Sequence, residues 1–243
     1  MTATPAPGVE LKGRAFIEGA PLFGPLELHL RPGEWTCLLG PSGVGKSTAL
    51  RMIADLPTGV ELDGSVRASD DQPIAGRVAY MAQSDLLLPW LDLTGNVLLG
   101  ARLRGERPDR ARARELLARV GLKGREAERP NHLSGGERQR VALARTLMED
   151  RPIVLLDEPF SALDARTRAE MQALGAELLA GRTVLLVTHD PAEAARLGHR
   201  ILVLTETGLQ EIAPPPSPPI RPVSDRDVFD SQAALFRALG QGE

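Results

Sequence analysis

The stretch GPSGVGKST, Gly40 to Thr48, carries residue types and a spacing that suit one chemistry, the grip on a polyphosphate. Gly40, Gly45, Lys46 and Ser47 satisfy G-x-x-x-x-G-K-[ST]. Gly40, Gly43 and Gly45 let backbone N–H groups close around phosphate oxygens, and the following helix points its positive end at the same place. Lys46 is placed to reach β and γ phosphates, and the Ser47 hydroxyl to hold Mg²⁺. Pro41, Ser42, Val44 and Thr48 complete the loop and are read with it as nucleotide-binding. An apolar run precedes the loop and a helical pattern follows, which separates it from a chance glycine-rich turn.

Three further apolar runs end in polar side chains. IVLL leads into Asp157 and Glu158, TVLLV into Thr188 and His189, and RVAYMA into Gln83. Ligands of open α/β sheets bind at the carboxyl ends of the strands, so these residues are expected at one edge with the glycine loop. Asp157 is the candidate Mg²⁺ holder and Glu158 the general base that polarises an attacking water. His189 is read as a contact to the γ-phosphate, and Gln83 as a bridge between metal and water.

A second stretch, LSGGERQR (Leu133 to Arg140), also has the composition of a phosphate site. Ser134 and Glu137 fit the S-x-x-E capping box that opens a helix. Capping does not account for Gly135 and Gly136, each of which costs up to about 1 kcal/mol relative to alanine inside a helix. Bare backbone at a helix start suits a phosphate in close approach. Since the Gly40 loop already surrounds one nucleotide's phosphates, Ser134, Gly135, Gly136 and Glu137 are assigned to ATP held by a second, similar subunit.

The elements that must position these groups follow from apolar patterning. Trp35–Gly40, Arg77–Gln83, Pro152–Glu158 and Thr183–Asp190 read as strands, nearly continuous in hydrophobicity and therefore covered on both faces as in a parallel sheet. Helices are predicted over Lys46–Asp55, Arg110–Val120, Glu137–Met148, Ala165–Leu179 and Pro191–Leu197, and the alternation gives βαβ units. Val9 to Leu30 is read as an antiparallel flank. Helical, charged patterning from Leu86 to Arg129 predicts an inserted helical subdomain. The fold class is therefore α/β, a P-loop NTPase core with a mostly parallel sheet. The domain is placed at residues 1–212, with the helical subdomain at about 86–148. Residues 213–243 hold the connector APPPSPPIRP and one short amphipathic helix at Asp225–Leu239.

Composition limits the alternatives. With 29 Lys and Arg against 32 Asp and Glu, a formal charge of −3 creates no global field for nucleic acid. The single cysteine, Cys37, rules out an internal disulfide framework and, inside an apolar strand, reads as buried and inert. MTATPAPGVELKG lacks the basic-then-apolar pattern of a signal peptide, and no apolar run approaches the about 20 residues of a membrane span.

Taken in order and spacing, these motifs make the chain resemble the nucleotide-binding subunit of an ABC transporter over almost its whole length. GPSGVGKST resembles the family's Walker A, Gln83 its Q-loop, LSGGERQR its signature, IVLLDEP its Walker B, SALD (Ser161 to Asp164) its D-loop, and His189 its switch histidine. The resemblance implies ATP and Mg²⁺ as cofactors and a head-to-tail dimer with two ATP molecules at the interface. Asp164 joins the nucleotide-binding set on this ground. It also implies integral membrane permease subunits docked through the Q-loop and helical subdomain, a separate solute-binding protein, no nucleic acid partner, and a peripheral place at the cytoplasmic face of the inner (cell) membrane.

Some positions fit the pattern loosely. The family's adenine-stacking aromatic lies in the first hairpin, where Phe16 is the better placed candidate and Phe23 the lesser, although an aromatic there serves equally as core. Asp55 stands where such proteins often carry glycine, with no functional account from sequence. Leu87, Leu88, Pro89 and Trp90 resemble the LLPW of ATPases serving nitrate, sulfonate, taurine and thiamine-precursor importers. Trp90 is read as subdomain core, as part of the groove receiving a permease helix, or as both. The alternatives weighed are a soluble ABC ATPase acting on nucleic acid or ribosomes, and the ATPase of an exporter. A P-loop kinase or GTPase leaves LSGGERQR unexplained.

Overall fold

The computed structural model describes residues 6–205 and 208–240. The first five residues of the N-terminal stretch and the last three of the tail lie outside these. The chain forms two compact units, one of residues 1–78, 152–157 and 181–243 and one of residues 79–151 and 158–180.

In the first unit, β1 (Val9–Ile17) and β2 (Ala20–Leu30) form the antiparallel flank expected from sequence, and β4 (Glu61–Ala68) adds a third strand to give the order β2-β1-β4. The sequence ELDGSVRA hides β4, because Asp63, Gly64 and Ser65 are poor strand formers. Gly13 and Gly64 lie opposite each other across this pair. A Cβ on Gly64 would sit 2.0 Å from the Lys12 carbonyl oxygen, so the two backbones approach more closely than any other residue permits.

The second sheet of this unit runs β6 (Ile153–Asp157), β7 (Thr183–Val187), β3 (Trp35–Leu39), β8 (Arg200–Thr205) and β9 (Gly208–Ile212). Every residue of β3, β6 and β7 is buried, as continuous apolar runs require when both faces are covered. These three strands are parallel, and register aligns Asp157 with Val187 and Val187 with Leu38. Asp157, the turn leading to His189 and the loop beginning at Gly40 therefore leave the sheet at the same end. Cys37 sits fully buried in β3, where desolvation pushes its thiol far up.

Helix α1 (Lys46–Ile53) stops two residues earlier than the pattern predicts. Asp55 takes φ 55°, and the N–H groups of Asp55 and Leu56 donate to Met52 and Arg51 carbonyls at 3.1 and 2.9 Å. This is a Schellman ending, in which the left-handed position normally falls to glycine. The oddity at Asp55 thus has a backbone explanation.

Helix α7 (Pro191–Leu197) matches its predicted span, and α8 (Arg226–Gly240) packs on it. The connector between β9 and α8 is fixed by Arg221, which is 2% exposed. Its guanidinium donates to the carbonyls of Ala195, Gly198, Pro215 and Ser217 at 2.7–3.0 Å, closing the carboxyl end of α7.

The second unit opens with most of β5 (Val78–Met81) and is otherwise helical: α2 (Leu93–Val97), α3 (Leu99–Leu103), α4 (Arg110–Arg119), a 3-10 turn at Pro130–His132, α5 (Gly135–Met148) and α6 (Ala165–Leu178). α5 packs on α2 and α4, and its Val141, Leu143 and Leu147 are buried. It begins two residues before the predicted start, so both glycines lie inside its first turn.

Candidate functional site

In the first unit the phosphate loop is shaped by contacts that only glycine tolerates. Gly40 has φ 153°, and a Cβ there would lie 2.2 Å from the Leu204 carbonyl oxygen. Gly45 caps α1 at φ 102° with the Phe23 ring against it, where a Cβ would meet ring carbon Cδ1 at 2.6 Å. Phe23 is accordingly core, whereas Phe16, on β1, is half-buried.

Lys46, 8% exposed, turns its ammonium back to donate to the Gly40 and Pro41 carbonyls at 2.7 Å each. The charge is held within its own loop. Next to it, the Ser47 hydroxyl donates to Asp157 Oδ1 at 3.1 Å, and Asp157 is 3% exposed. Register and loop have together brought a hydroxyl and a carboxylate, both hard oxygen donors, into contact at the start of α1. Such a pair fits Mg²⁺, which takes few protein ligands beside phosphate oxygens and water. His189 is exposed at the end of β7, between Thr188, which donates to Glu193 Oε2 at 2.7 Å, and Asp190, which caps α7.

In the second unit Gln83 Nε2 donates to Glu158 Oε2 at 3.2 Å, so two of the expected catalytic side chains meet. Glu158 adopts φ 48°, an uncommon conformation for a residue with a side chain. Its carbonyl accepts from Ser161 Oγ at 3.1 Å and from the Gln139 amide at 3.4 Å. Gln139 is 4% exposed and had no role from sequence. Its only signal was its place inside LSGGERQR.

Ser134 caps α5 in a complete capping box: Glu137 N–H donates to Ser134 Oγ at 3.3 Å, and Ser134 N–H donates to Glu137 Oε2 at 2.8 Å. Glu137 also pairs with Arg125. The Ser134 N–H, and then Arg125, hold its carboxyl below the usual range. Glu137 is thus engaged in building the helix start. The two glycines differ. A Cβ on Gly136 would touch the Ala162 carbonyl oxygen at 3.2 Å and Leu163 Cδ2 at 3.3 Å, so packing accounts for it. Gly135 has nothing closer than 3.9 Å, and no contact within the unit asks for glycine. Asp164 caps α6, accepting from the Arg166 and Thr167 N–H groups at 3.1 Å, and those bonds lower its pKa.

Downstream of Gln83 the loop is ordered by side chains that sequence reasoning passed over. Fully buried Asn96 accepts from Leu88 N–H at 2.7 Å and donates to Leu88, Leu91 and Asp92 carbonyls at 3.0–3.3 Å. Arg145 donates to the Asp85 and Leu86 carbonyls at 2.6 and 2.8 Å, and Arg138 pairs with Asp85 at 3.0 Å. Leu87 is buried, but Leu86 and Trp90 are 61% and 66% exposed. Trp90 is not subdomain core.

Residues 23–161 match the family described as ABC transporter. The chain belongs to the ABC transporter family. It is an ATP-binding, ATP-hydrolysing subunit of that family with the ABC ATPase fold. Over 231 residues it is 43% identical to an uncharacterized ABC transporter ATP-binding protein of Haemophilus influenzae, covering 92% of this chain and 95% of that one. It is 47% identical over 214 residues to the aliphatic sulfonates import ATP-binding protein SsuB 1 of Rhodococcus jostii, covering 86% and 84%. Among solved structures it is similar to the ATP-binding cassette MJ0796 in a dimeric post-hydrolysis state bound to ADP and Pi. That match has a TM-score of 0.73 and 32% identity over 88% of this chain and 99% of the cassette.

Proposed function

We propose that this ABC ATPase subunit powers an importer for aliphatic sulfonates, working as a pair of identical subunits on separate permease subunits. The observation that carries the ATPase part is the Ser47–Asp157 contact beside Lys46, which gathers the polyphosphate and metal ligands in one place. Similarity to sulfonate-import ATP-binding proteins of several bacteria supports the solute class.

Lys46 releases its loop carbonyls and holds the β and γ phosphates of ATP, with backbone N–H groups of Gly43 to Ser47 around the same oxygens. Ser47 and Asp157 would hold Mg²⁺, which would supply neutralisation of phosphate charge. Glu158 draws the proton from the attacking water, a contribution of about 10²–10⁴-fold for a positioned base. Gln83 holds the Glu158 carboxylate, Gln139 and Ser161 hold its backbone, and His189 contacts the γ-phosphate. Phe16 stacks on adenine. Ser134 and Gly135 of one copy reach the nucleotide of the other, with Asp164 fixing the adjoining loop.

No helix among the described residues is long and apolar enough to cross a membrane. In this reading the permease chains cross it, the exposed Trp90 and Leu86 receive their cytoplasmic helices, and a separate solute-binding protein delivers the sulfonate. The subunit sits peripherally on the cytoplasmic face of the cell membrane. Co-purification of the tagged chain with its permease, followed by reconstitution with an aliphatic sulfonate and a solute-binding protein, tests it. ATP-dependent sulfonate uptake is expected. ATP hydrolysis by a chain that captures no integral membrane protein and supports no uptake would leave the ATPase and remove the importer.

A further inference from the structure

The outer face of α8 has no covering among the described residues. Val228, Ser231, Leu235 and Ala238 turn inward toward α7 and the sheet. On the other side Phe229, Ala233, Phe236 and Gly240 form a straight outward stripe at i, i+4, i+7 and i+11. Phe229 is 54% exposed and Phe236 63%, so two of the chain's five phenylalanines face outward from one helix. Surface placement of two such rings in line marks a contact surface. Beside the stripe, on one flank, lie exposed Asp230 and Arg237, which form no ion pair among the described residues.

The stripe is complementary to itself. Under a two-fold axis that sets two copies of α8 antiparallel, Phe229 falls opposite Gly240 of the other copy and Phe236 opposite Ala233, a large ring over a small residue at each of four places. The same axis brings the Asp230 flank of one helix against the Arg237 flank of the other, giving two reciprocal ion pairs. A two-fold contact must meet its own surface in this way. An anionic membrane surface fits less well. The helix carries Arg226 and Arg237 against Asp227 and Asp230, with no net charge to draw it to lipid headgroups.

We propose that the Phe229–Phe236 face of α8 is a homotypic docking surface that pairs antiparallel with the α8 of a second copy. The 15-residue helix is about 22 Å long, and a pair of that size falls well short of the about 1,000 Å² expected of a free-standing interface. Pairing is therefore weak between free chains and is populated when two copies are already tethered in one assembly. It uses no residue of the ATP site and so holds the copies together when nucleotide does not.

The test uses the full chain without nucleotide, at high protein concentration, with Ala233→Cys and a short bismaleimide; buried Cys37 does not compete. Cross-linked dimer is expected, and a cysteine at exposed Arg107 should give none. Phe229→Asp with Phe236→Asp should cut the yield at least tenfold. Asp230→Arg and Arg237→Asp should each cut it severalfold, and the double reversal should restore it. ATP binding should stay unchanged in all these surface variants, which separates this contact from the ATPase reading. Absence of a cross-link, or a double reversal that fails to restore it, overturns the proposal. So does an Ala233→Cys chain that gives no cross-link and instead sediments with phosphatidylglycerol vesicles through the two phenylalanines, for then lipid occupies the face.

Discussion

The Ser47 hydroxyl donates to the Asp157 carboxylate at 3.1 Å, although 110 positions of sequence separate them. Parallel register between β6, β7 and β3 sets Asp157 level with the start of the phosphate loop, and the loop's glycines turn the first residues of α1 toward it. Two hard oxygen donors in contact at a helix start are poised to share a cation, which neither would hold alone.

Ser47→Ala should therefore abolish Mg²⁺-dependent hydrolysis while leaving ATP binding in the presence of a chelator within a fewfold of wild type. Lys46 and the loop N–H groups remain. Turnover and nucleotide binding, each measured with and without Mg²⁺, check this. A variant that hydrolyses normally would detach Ser47 from the metal.

Glu158→Gln preserves shape, and the new amide oxygen can still accept from Gln83 Nε2. The loss is confined to basicity. Turnover should drop by about 10²-fold or more while ATP affinity persists, and the nucleotide-bound chain should run as a dimer in size-exclusion chromatography. A turnover near wild type would mean that another group activates the water.

How far the sequence reveals this site depends on the kind of signal each residue leaves. Strand ends and the glycine loop were legible because burial on both faces writes a continuous apolar run, and because Lys46 and Ser47 follow the glycines at fixed spacing. β4 was not legible, since Asp63, Gly64 and Ser65 are held there by pairing with β1 and not by propensity. Gln139 and Asn96 were invisible for another reason: each acts by hydrogen-bonding backbone that arrives from elsewhere in the fold, and polar residues doing so leave no period. Asp55 looked anomalous only until its left-handed backbone was seen.

That backbone carries its own prediction. An L-residue with no local hydrogen-bonding side chain pays about 1–2 kcal/mol in the left-handed region, and aspartate pays less. Asp55→Ala should lower stability by about 1 kcal/mol, whereas Asp55→Gly should be neutral or slightly stabilising, its looser unfolded chain offsetting part of the relief. Urea midpoints of the three proteins give the order. Alanine matching aspartate would contradict the Schellman assignment.

Acid sensitivity should reside partly in the helix caps. Glu137 and Asp164 both have pKa values lowered in the fold, first by backbone N–H donors, so their caps contribute fully above the ordinary carboxylate values of 4.5 and 3.8. That contribution is lost as pH falls through the lowered folded values. Asp164→Asn keeps a capping oxygen without a charge to titrate. Its stability should fall less steeply than wild type below about pH 4, with similar values near neutrality. Parallel slopes in acid would show that Asp164 titrates alike in folded and unfolded chains.

Gly135 and Gly136 stand side by side in the first turn of α5, yet only one has a reason within its own unit to be glycine. At Gly136 an added Cβ presses on the Ala162 carbonyl and Leu163, so the about 1 kcal/mol that alanine gains in a helix is offset by displacing that loop. At Gly135 the space is open and φ is not positive, so Gly135→Ala should raise stability by up to about 1 kcal/mol. If that space belongs to a phosphate held by the other copy, the same change should slow ATP hydrolysis by tenfold or more and leave ATP binding to the isolated chain intact. Thermal melts, nucleotide binding and turnover of the two variants separate the cases. Stability and activity moving in opposite directions at Gly135 is the signature of a position kept bare for a ligand, and a Gly135→Ala protein that is both more stable and fully active would show that the glycine serves no second subunit.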